Sequence, residues 1–132
     1  QVFGSWCPNC HDASLFFTEL QQEFGDQGLS IVGLAFELTG DFDRDTQQLL
    51  KYRKRTGASY PILLAGLADK TKATEKIKIL SRVKSFPTTI FLDQDDQPLA
   101  VHSGFSGPAT GAAHVRLKKR FRTIVQNELG TK

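Results

Sequence analysis

The first 24 residues place an apolar strand, two cysteines and an amphipathic helix in immediate succession. Val2 and Phe3 are typical of the end of a buried strand, and Pro8 suits the first position of a helix, where its missing N–H costs nothing. Apolar residues then recur at the i, i+3, i+4, i+7 spacing of a helix face that packs on a core. They are Ala13, Phe16, Phe17, Leu20 and Phe24. The pattern predicts a strand that leads directly into a core-packed helix, with the cysteines at the junction.

The rest of the chain continues the alternation of strands and helices. A β-branched apolar run predicts a strand buried on both faces, Pro61 indicates an edge strand or the start of a strand, and an acidic turn predicts a hairpin. The predicted strands are Leu29–Phe36, Tyr60–Leu64, Thr88–Asp93 and Leu99–Ser103, and the later helices are Asp41–Thr56, Asp69 to about Arg82, and Ala112–Leu129. This order predicts an α/β fold with a central mixed sheet flanked by helices. Because no linker or repeat interrupts the sequence, we expect residues 1–132 to form one domain.

Each later helix has a predicted buried face. These faces are Phe42, Leu49, Leu50 and Tyr52 in the second helix, Ile77 and Leu80 in the third, and Leu117, Phe121, Ile124 and Val125 in the last. The last helix also carries a run of lysine and arginine. No aromatic residues alternate with these charges for base stacking, so we expect a solvated face and no nucleic-acid partner. With 39% hydrophobic and 23% charged residues, the chain is typical of a globular domain and not of a disordered or membrane-spanning one.

Cys7 and Cys10 are the only two cysteines in the sequence. A disulfide across so short a loop restrains the unfolded chain little, because that stabilisation grows with loop length. A structural zinc site needs four ligands, and His11, His102 and His114 are not spaced as a second half-site. A copper-type site that uses both thiolates and His102 stays open, since soft thiolates suit Cu(I). The pair is therefore a redox couple or part of a copper site.

The position of Cys7 between a strand and a helix favours the redox alternative. Unpaired N–H groups and the helix dipole at a helix N-terminus stabilise a thiolate relative to a thiol, and the thiolate is the nucleophile of disulfide exchange. Cys10 lies one turn into the helix, so it is more shielded but can reach back to Cys7. The two residues are predicted to be the attacking and the resolving thiol, with no bound metal or cofactor.

A second motif, SFPTTIFLD at Ser85 to Asp93, places Pro87 directly before a strand. Together with WCPNC it resembles the thioredoxin superfamily, and within it the TlpA/ResA-type thiol–disulfide oxidoreductases, over essentially the whole chain. The resemblance implies a thioredoxin fold with an inserted helix–strand segment and a cis Phe86–Pro87 bond in a loop that faces the cysteines. It also implies that Cys7, Cys10 and Pro87 are catalytic, and that substrate contacts Trp6, Pro8 and Phe86.

The same resemblance implies an enzyme that acts on protein disulfides through a mixed disulfide, in the reductive direction. Its partners would be protein thiols and disulfides and an upstream electron-donor protein. The setting would be periplasmic or otherwise extracytoplasmic. The N-terminal strands of such proteins would precede Gln1, so we expect them to be truncated, and a membrane anchor would lie outside this sequence.

Thioredoxins carry a buried acid six residues ahead of the first cysteine, and that position is Gln1 here. TlpA/ResA-like proteins place an acidic residue near the thiols from the end of the central strand, which corresponds to Glu37. The carboxyl edge of parallel strands is where ligand chemistry collects. We expect Glu37 to be partly desolvated, with a raised pKa, and to accept the Cys10 proton as a catalytic base. The alternative is a surface glutamate that opens a loop.

Two other functions compete with disulfide exchange. A peroxiredoxin would need a Pro-x-x-x-Thr/Ser-x-x-Cys stretch, but Phe3 and Gly4 stand four and three residues ahead of Cys7. A copper metallochaperone would use the thiols as ligands. Peroxide turnover would favour the first alternative, and stoichiometric copper uptake with poor disulfide reductase activity would favour the second.

Overall fold

The computed structural model of the protein describes residues 1–130, which contain five strands and four α-helices. The strands are β1 (Val2–Phe3), β2 (Gly33–Glu37), β3 (Ile62–Leu67), β4 (Thr88–Leu92) and β5 (Pro98–Ser103). The helices are α1 (Pro8–Phe24), α2 (Phe42–Thr56), α3 (Lys70–Lys76) and α4 (Ala112–Leu129). The predicted α/β fold with a mixed sheet is confirmed. No helix among these four combines the length and the apolar character that a bilayer crossing requires.

The five strands form one sheet in the order β3-β2-β1-β4-β5. Neighbours β1 and β2, and β2 and β3, are parallel, whereas β4 is antiparallel to both β1 and β5. The edge position of β3 agrees with the prediction from Pro61. The two-residue strand β1 lies at the centre of the sheet, paired through Val2 with Leu34 and through Phe3 with Ala35. Because the cysteine motif follows β1 directly, it lies at the carboxyl end of the central strands.

Buried side chains form clusters between the sheet and the helices. One cluster joins α1 to α4 and is mainly aromatic; it includes Phe16, Phe17, Phe24, Phe105 and Phe121. A second contains both cysteines, with Phe3, Ala35, Leu49 and Tyr52. A third joins β1 and β2 to the segment after β3 through Val2, Phe36, Ala73, Ile77 and Val83. Helix α1 is thus fixed against the core along its length while its first turn borders the cysteine cluster.

Two predicted strands differ from the observed ones by more than one residue at an end, whereas β4 and β5 differ by a single residue each. β2 begins at Gly33 rather than at residue 29, because the pairing with β3 starts where Gly33 lies opposite Ile62. Leu29 instead closes the turn after α1, where its N–H donates to Phe24 O at 3.2 Å. β3 covers Ile62–Leu67 rather than residues 60–64, because it pairs with β2 up to Glu37.

The predicted third helix was too long, since α3 ends at Lys76 and not near residue 82. Ile77 leaves the helical conformation and is buried in the core. The Val83 N–H donates to Thr74 Oγ1 at 2.8 Å, so a side chain replaces the helical carbonyl as its partner. The chain from residue 77 to residue 83 is therefore an irregular segment that turns back along α3.

The buried face of α2 was predicted partly wrongly. Leu49 and Tyr52 are buried, but Phe42 is 70% exposed and Leu50 is 54% exposed. The buried stripe consists of Asp45, Leu49, Tyr52 and Thr56, which keep the four-three-four spacing of one helix face. Leu50 lies outside that spacing. In α4, Leu117, Phe121 and Val125 are buried as predicted, and Ile124 is only partly buried.

Candidate active site

Cys7 is the N-cap residue of α1, with extended φ −100° and ψ 116°. Its Sγ accepts a hydrogen bond from the Cys10 N–H at 3.2 Å and lies 3.5 Å from Phe86 O. Both cysteines are free thiols, and Cys7 is 6% exposed whereas Cys10 is fully buried. The order of exposure agrees with their order on the helix. Cys7 is nevertheless largely covered, since Phe86 packs against the same cluster.

The two thiols differ strongly in acidity. A hydrogen bond from the Cys10 thiol, and the N–H groups of Cys10 and Asn9, lower the pKa of Cys7 from 9.0 to about 7 against the opposing effect of burial. The pKa of Cys10 is raised, first by that same hydrogen bond to Cys7, then by burial and by the negative charges of Cys7 and Glu37. Cys7 is therefore the thiol that ionises near neutral pH, while Cys10 keeps its proton.

An aromatic pair borders Cys7. The Trp6 ring meets the Phe86 ring edge-on, with centroids 5.6 Å apart and planes at 74°. Trp6 Nε1 donates to Phe36 O at 2.8 Å, which fixes the ring at the end of β2 while leaving the side chain 39% exposed. Pro87 is buried, and the Phe86–Pro87 peptide bond is cis. Pro8 is exposed at the first position of α1.

Glu37, the last residue of β2, is only 2% exposed. Its Oε2 accepts from the Ser5 N–H at 2.8 Å, and its Oε1 accepts from the Ser5 hydroxyl. Burial raises the pKa of Glu37, the two Ser5 hydrogen bonds oppose that rise, and the charge of Asp45 adds to it. The carboxyl group is therefore tied to the residue two positions before Cys7, and its charge acts on Cys10.

A solved structure from Chlorobium tepidum, provisionally described as the thiol:disulfide interchange protein DsbE, is similar to this chain at a TM-score of 0.68 and 21% sequence identity. The match covers 97% of this chain and 76% of the other. The chain has a thioredoxin-like fold. At this identity the likeness establishes the fold alone. No family model and no curated protein sequence matches the chain.

Two polar contacts of this thioredoxin-like site were not predicted. One is Ser5, which holds Glu37. The other is Tyr52, whose hydroxyl donates to Cys10 O at 2.8 Å and lies 2.5 Å from Ser14 Oγ. Burial raises the pKa of Tyr52, so its hydroxyl stays a donor at neutral pH. Tyr52 lies on the buried stripe of α2. Because the hydroxyl of a buried tyrosine usually has a hydrogen-bond partner, its place on that stripe was the sequence signal that could have indicated this contact.

Gln1 occupies a position under the first turn of α1. Its side-chain amide donates to Ser14 Oγ at 3.2 Å and to Cys10 O at 3.4 Å, and the Tyr60 hydroxyl donates to its Oε1 at 3.3 Å. A neutral amide therefore joins the hydrogen-bond network of Ser14 and Tyr52. This arrangement leaves Glu37 as the buried carboxyl group whose charge is felt by Cys10.

The three histidines lie in separate surroundings. His11 packs edge-on against Tyr52, His102 packs edge-on against Phe121, and His114 Nδ1 lies 2.8 Å from Ser106 O. His102 is partly buried, and burial lowers its pKa. Within residues 1–130 no group of three or more histidine, cysteine, aspartate or glutamate side chains is arranged to hold a metal ion.

Gly4→Ala is expected to displace Trp6. A Cβ at Gly4 would lie 2.1 Å from Trp6 Nε1 and 2.8 Å from Phe36 O, so the indole must leave its hydrogen bond. We expect a loss of about 1–3 kcal/mol in the free energy of unfolding, the usual cost of overpacking. Because Trp6 is the only tryptophan, its fluorescence maximum should shift to the red. In the matched control Gly66→Ala, the new Cβ meets Phe36 at an ordinary 3.6 Å. Equal effects of both variants would contradict the prediction.

Proposed function

We propose that this protein is a thiol–disulfide oxidoreductase that acts on protein disulfides through Cys7 and Cys10. The observation that carries the proposal is the unequal pair of thiols at the start of α1. Cys7 has a pKa of about 7 and accepts hydrogen bonds from Cys10, whereas Cys10 is fully buried and keeps its proton. Disulfide exchange needs two thiols of different acidity. The attacking sulfur must be a thiolate, and the resolving sulfur must stay protonated until the mixed disulfide has formed.

In the first step the Cys7 thiolate attacks one sulfur of a substrate disulfide. The substrate S–S bond breaks, a Cys7–substrate disulfide forms, and the other substrate sulfur leaves as a thiolate that takes a proton from water. The exposed edge of Trp6 and the neighbouring Phe86 and Pro87 provide the surface on which substrate rests, with Pro8 at its border. The Phe86 carbonyl, 3.5 Å from Cys7 Sγ, is close enough for the backbone there to pair with a substrate peptide.

In the second step Cys10 loses its proton and attacks the Cys7 sulfur. The mixed disulfide breaks, a Cys7–Cys10 disulfide forms, and the second substrate thiol is released, so two electrons pass from the cysteine pair to the substrate. We propose that the Glu37 carboxylate accepts the Cys10 proton. Its buried carboxylate has a raised pKa, which suits a base near neutral pH. An upstream dithiol protein then reduces the Cys7–Cys10 disulfide, and no further cofactor is required.

We propose that the reaction runs in the reductive direction. Among related enzymes thioredoxin, a reductant, has a cysteine pKa near 7, whereas the oxidant DsbA has one near 3.5 because its thiolate is far more stabilised. The Cys7 pKa of about 7 agrees with the reductant. By the resemblance to TlpA-type proteins, we place the reaction in the periplasm or another extracytoplasmic compartment, with any membrane anchor outside the described residues.

The test is the turnover of a protein disulfide together with the reduction potential of the cysteine pair. Reduction of insulin by dithiothreitol should be accelerated by the protein. The Cys7–Cys10 couple, equilibrated in glutathione buffers, should have a potential nearer to about −270 mV than to about −120 mV, the values for thioredoxin and DsbA. A potential near the DsbA value would reverse the proposed direction. No acceleration of insulin reduction would contradict the activity itself.

Glu37→Gln should slow turnover by about 100-fold, the lower end of general acid–base contributions, with Cys7 alkylation still fast. Loss of the Glu37 charge should also lower the pKa of Cys10, which that charge helps to raise. Both effects are measurable from the pH dependence of insulin reduction and of iodoacetamide labelling. Glu23→Gln is the control, because it also removes a carboxylate, one that pairs with Arg122 on the surface. If the pH dependence of insulin reduction and of labelling is unchanged in Glu37→Gln, Glu37 has a structural role and is not the base.

The same variant should change how stability depends on pH. Because folding raises the pKa of Glu37 above 4.5, the folded state binds its proton more tightly than the unfolded state. The free energy of unfolding should therefore fall as pH rises from about 4.5 through the raised pKa, and then level off. Glu37→Gln should lack this fall. Urea titrations across that pH range measure the difference between the two proteins.

A further inference from the structure

One segment of the surface, residues 69–84, concentrates positive charge. It contains Asp69, Glu75 and six cations, which are Lys70, Lys72, Lys76, Lys78, Arg82 and Lys84. Its net charge of +4 exceeds the +3 of the whole chain, so the remaining residues together are slightly acidic. We call this stretch, which comprises α3 and the irregular turn after it, the basic segment.

The cationic side chains of the basic segment are accessible to a binding partner. All six are exposed, and the ion pairs found within residues 1–130 all use Lys118 or Arg122 of α4 instead. Asp69, one of the two carboxylates in the segment, accepts from the Lys72 N–H as the N-cap of α3. The positive charge is therefore not neutralised by neighbours within the fold.

The basic segment also has a defined shape. Ala73, Ile77 and Val83 anchor it in the core, and the hydrogen bond from Val83 N to Thr74 Oγ1 ties its two ends together. Between these ends lies a surface hollow of about 190 Å³, lined by Lys70, Arg82, Lys84 and both threonines, Thr71 and Thr74. Three cations and two hydroxyls thus converge on one concave surface.

Lys84 connects the hollow to the loop that contacts Cys7. Lys84 is two residues from Phe86, whose carbonyl is 3.5 Å from Cys7 Sγ, and two residues of chain span at most about 7 Å. Val83 and Phe86 pack in the same cluster, so the link between them is fixed. At the other end of the segment, Ala68 N donates to Glu37 O, so the chain before α3 is fixed to the end of β2.

We propose that the basic segment recognises acidic residues that flank the disulfide of a protein substrate. This inference rests on the proposed function, because it assigns the hollow of Lys70, Arg82 and Lys84 to the protein that reaches Cys7. Opposite charges steer diffusional encounter and fix the orientation of the complex, and both effects weaken as salt screens them. Continuity with the thiol site favours a disulfide-bearing protein over a lipid surface.

The test uses two synthetic peptides that share one intramolecular disulfide and differ only in flanks of three aspartates or three lysines. At about 10 mM ionic strength we expect kcat/KM to be at least ~10-fold higher for the acidic peptide, with the difference lost near 0.5 M salt. The triple variant Lys70→Glu, Arg82→Glu and Lys84→Glu should remove or reverse the preference. The control triple variant, Arg116→Glu, Lys119→Glu and Arg120→Glu, makes the same charge change on exposed positions of α4 and should keep it.

Reduction of hydroxyethyl disulfide, which is small and uncharged, separates this inference from the proposed function. Wild type and both triple variants should reduce it equally, which also reports an intact fold. If all three reduce it but the wild type treats both peptides alike, or both triple variants lose the preference equally, the basic segment is not the recognition surface. Binding of phosphatidylglycerol vesicles through the segment, without peptide discrimination, would also overturn the proposal. Failure of the wild type on hydroxyethyl disulfide would overturn the proposed function and this inference with it.

Discussion

Cys7→Ser is expected to lower the proposed disulfide reductase activity by at least about 1000-fold, which corresponds to about 4 kcal/mol of activation free energy. A serine hydroxyl at this position is not ionised near pH 7, so the hydrogen bonds that stabilise the Cys7 thiolate have no anion to act on. Cys10 cannot substitute for it, because it is fully buried and its pKa is raised. The measurement is the initial rate of insulin reduction at neutral pH.

Cys10→Ser should block the reaction at a later step than Cys7→Ser does. It keeps the attacking thiolate, so it should form the mixed disulfide and stop there, and mass spectrometry of the non-reduced reaction should find a stable covalent adduct. Cys7→Ser should give no such adduct. The Cys10 thiol also donates the hydrogen bond that most lowers the Cys7 pKa, so Cys7 alkylation in Cys10→Ser should require a higher pH. Native iodoacetamide labelling of Cys10 before Cys7 in the reduced wild type would reverse the two roles.

The parts of the fold that were predicted correctly depend on local sequence. The start of α1 follows from Pro8 and the apolar spacing behind it, and both were visible within 24 residues. The hairpin of β4 and β5 follows from an acidic turn between two apolar runs. A helix stripe, a turn and a strand each need only neighbouring residues to be recognised. The cysteine pair was recognisable for the same reason.

The errors occurred where distant residues decide the conformation. The periodicity of Ile77 and Leu80 continued a helix, but burial of Ile77 and Val83 in the core and the bond from Val83 to Thr74 end it at Lys76. The start of β2 depends on which residues its neighbours offer for pairing. Tertiary contacts override local propensity in both cases.

The polar parts of the site were missed for a related reason. Ser5 and Glu37 are 32 positions apart, and Tyr52 reaches Cys10 across 42 positions. No spacing rule relates residues at such separations, so only the assembled sheet and α2 bring them together. Glu37 could be placed through its position at the carboxyl end of a central strand, but the partner that holds its carboxyl group could not.

Phe121→Ala is expected to reduce the free energy of unfolding by about 3–5 kcal/mol. Phe121 is fully buried in α4 and lies at the centre of the aromatic cluster. Its ring contacts those of Phe16, Phe17, Phe91, His102 and Phe105, at centroid distances from 4.9 to 6.4 Å. Truncation leaves a cavity that several rings from different elements would have to fill together. Urea unfolding followed by circular dichroism measures the loss.

Val115→Ala is the matched control, because Val115 lies on the same helix and is 66% exposed, so its loss should be within about 0.5 kcal/mol.

Phe16 and Phe17 belong to α1, the helix that carries Cys7 at its N-cap, so the cluster also supports the site. Where Phe121→Ala is still folded, however, the hydrogen bonds from Cys10 and Asn9 to Cys7 are unchanged, so the pH dependence of Cys7 alkylation should match the wild type. A shifted pH profile of alkylation in the folded variant would mean that the aromatic cluster sets the geometry of the first turn of α1. Equal stability losses in Phe121→Ala and Val115→Ala would contradict the central place of Phe121.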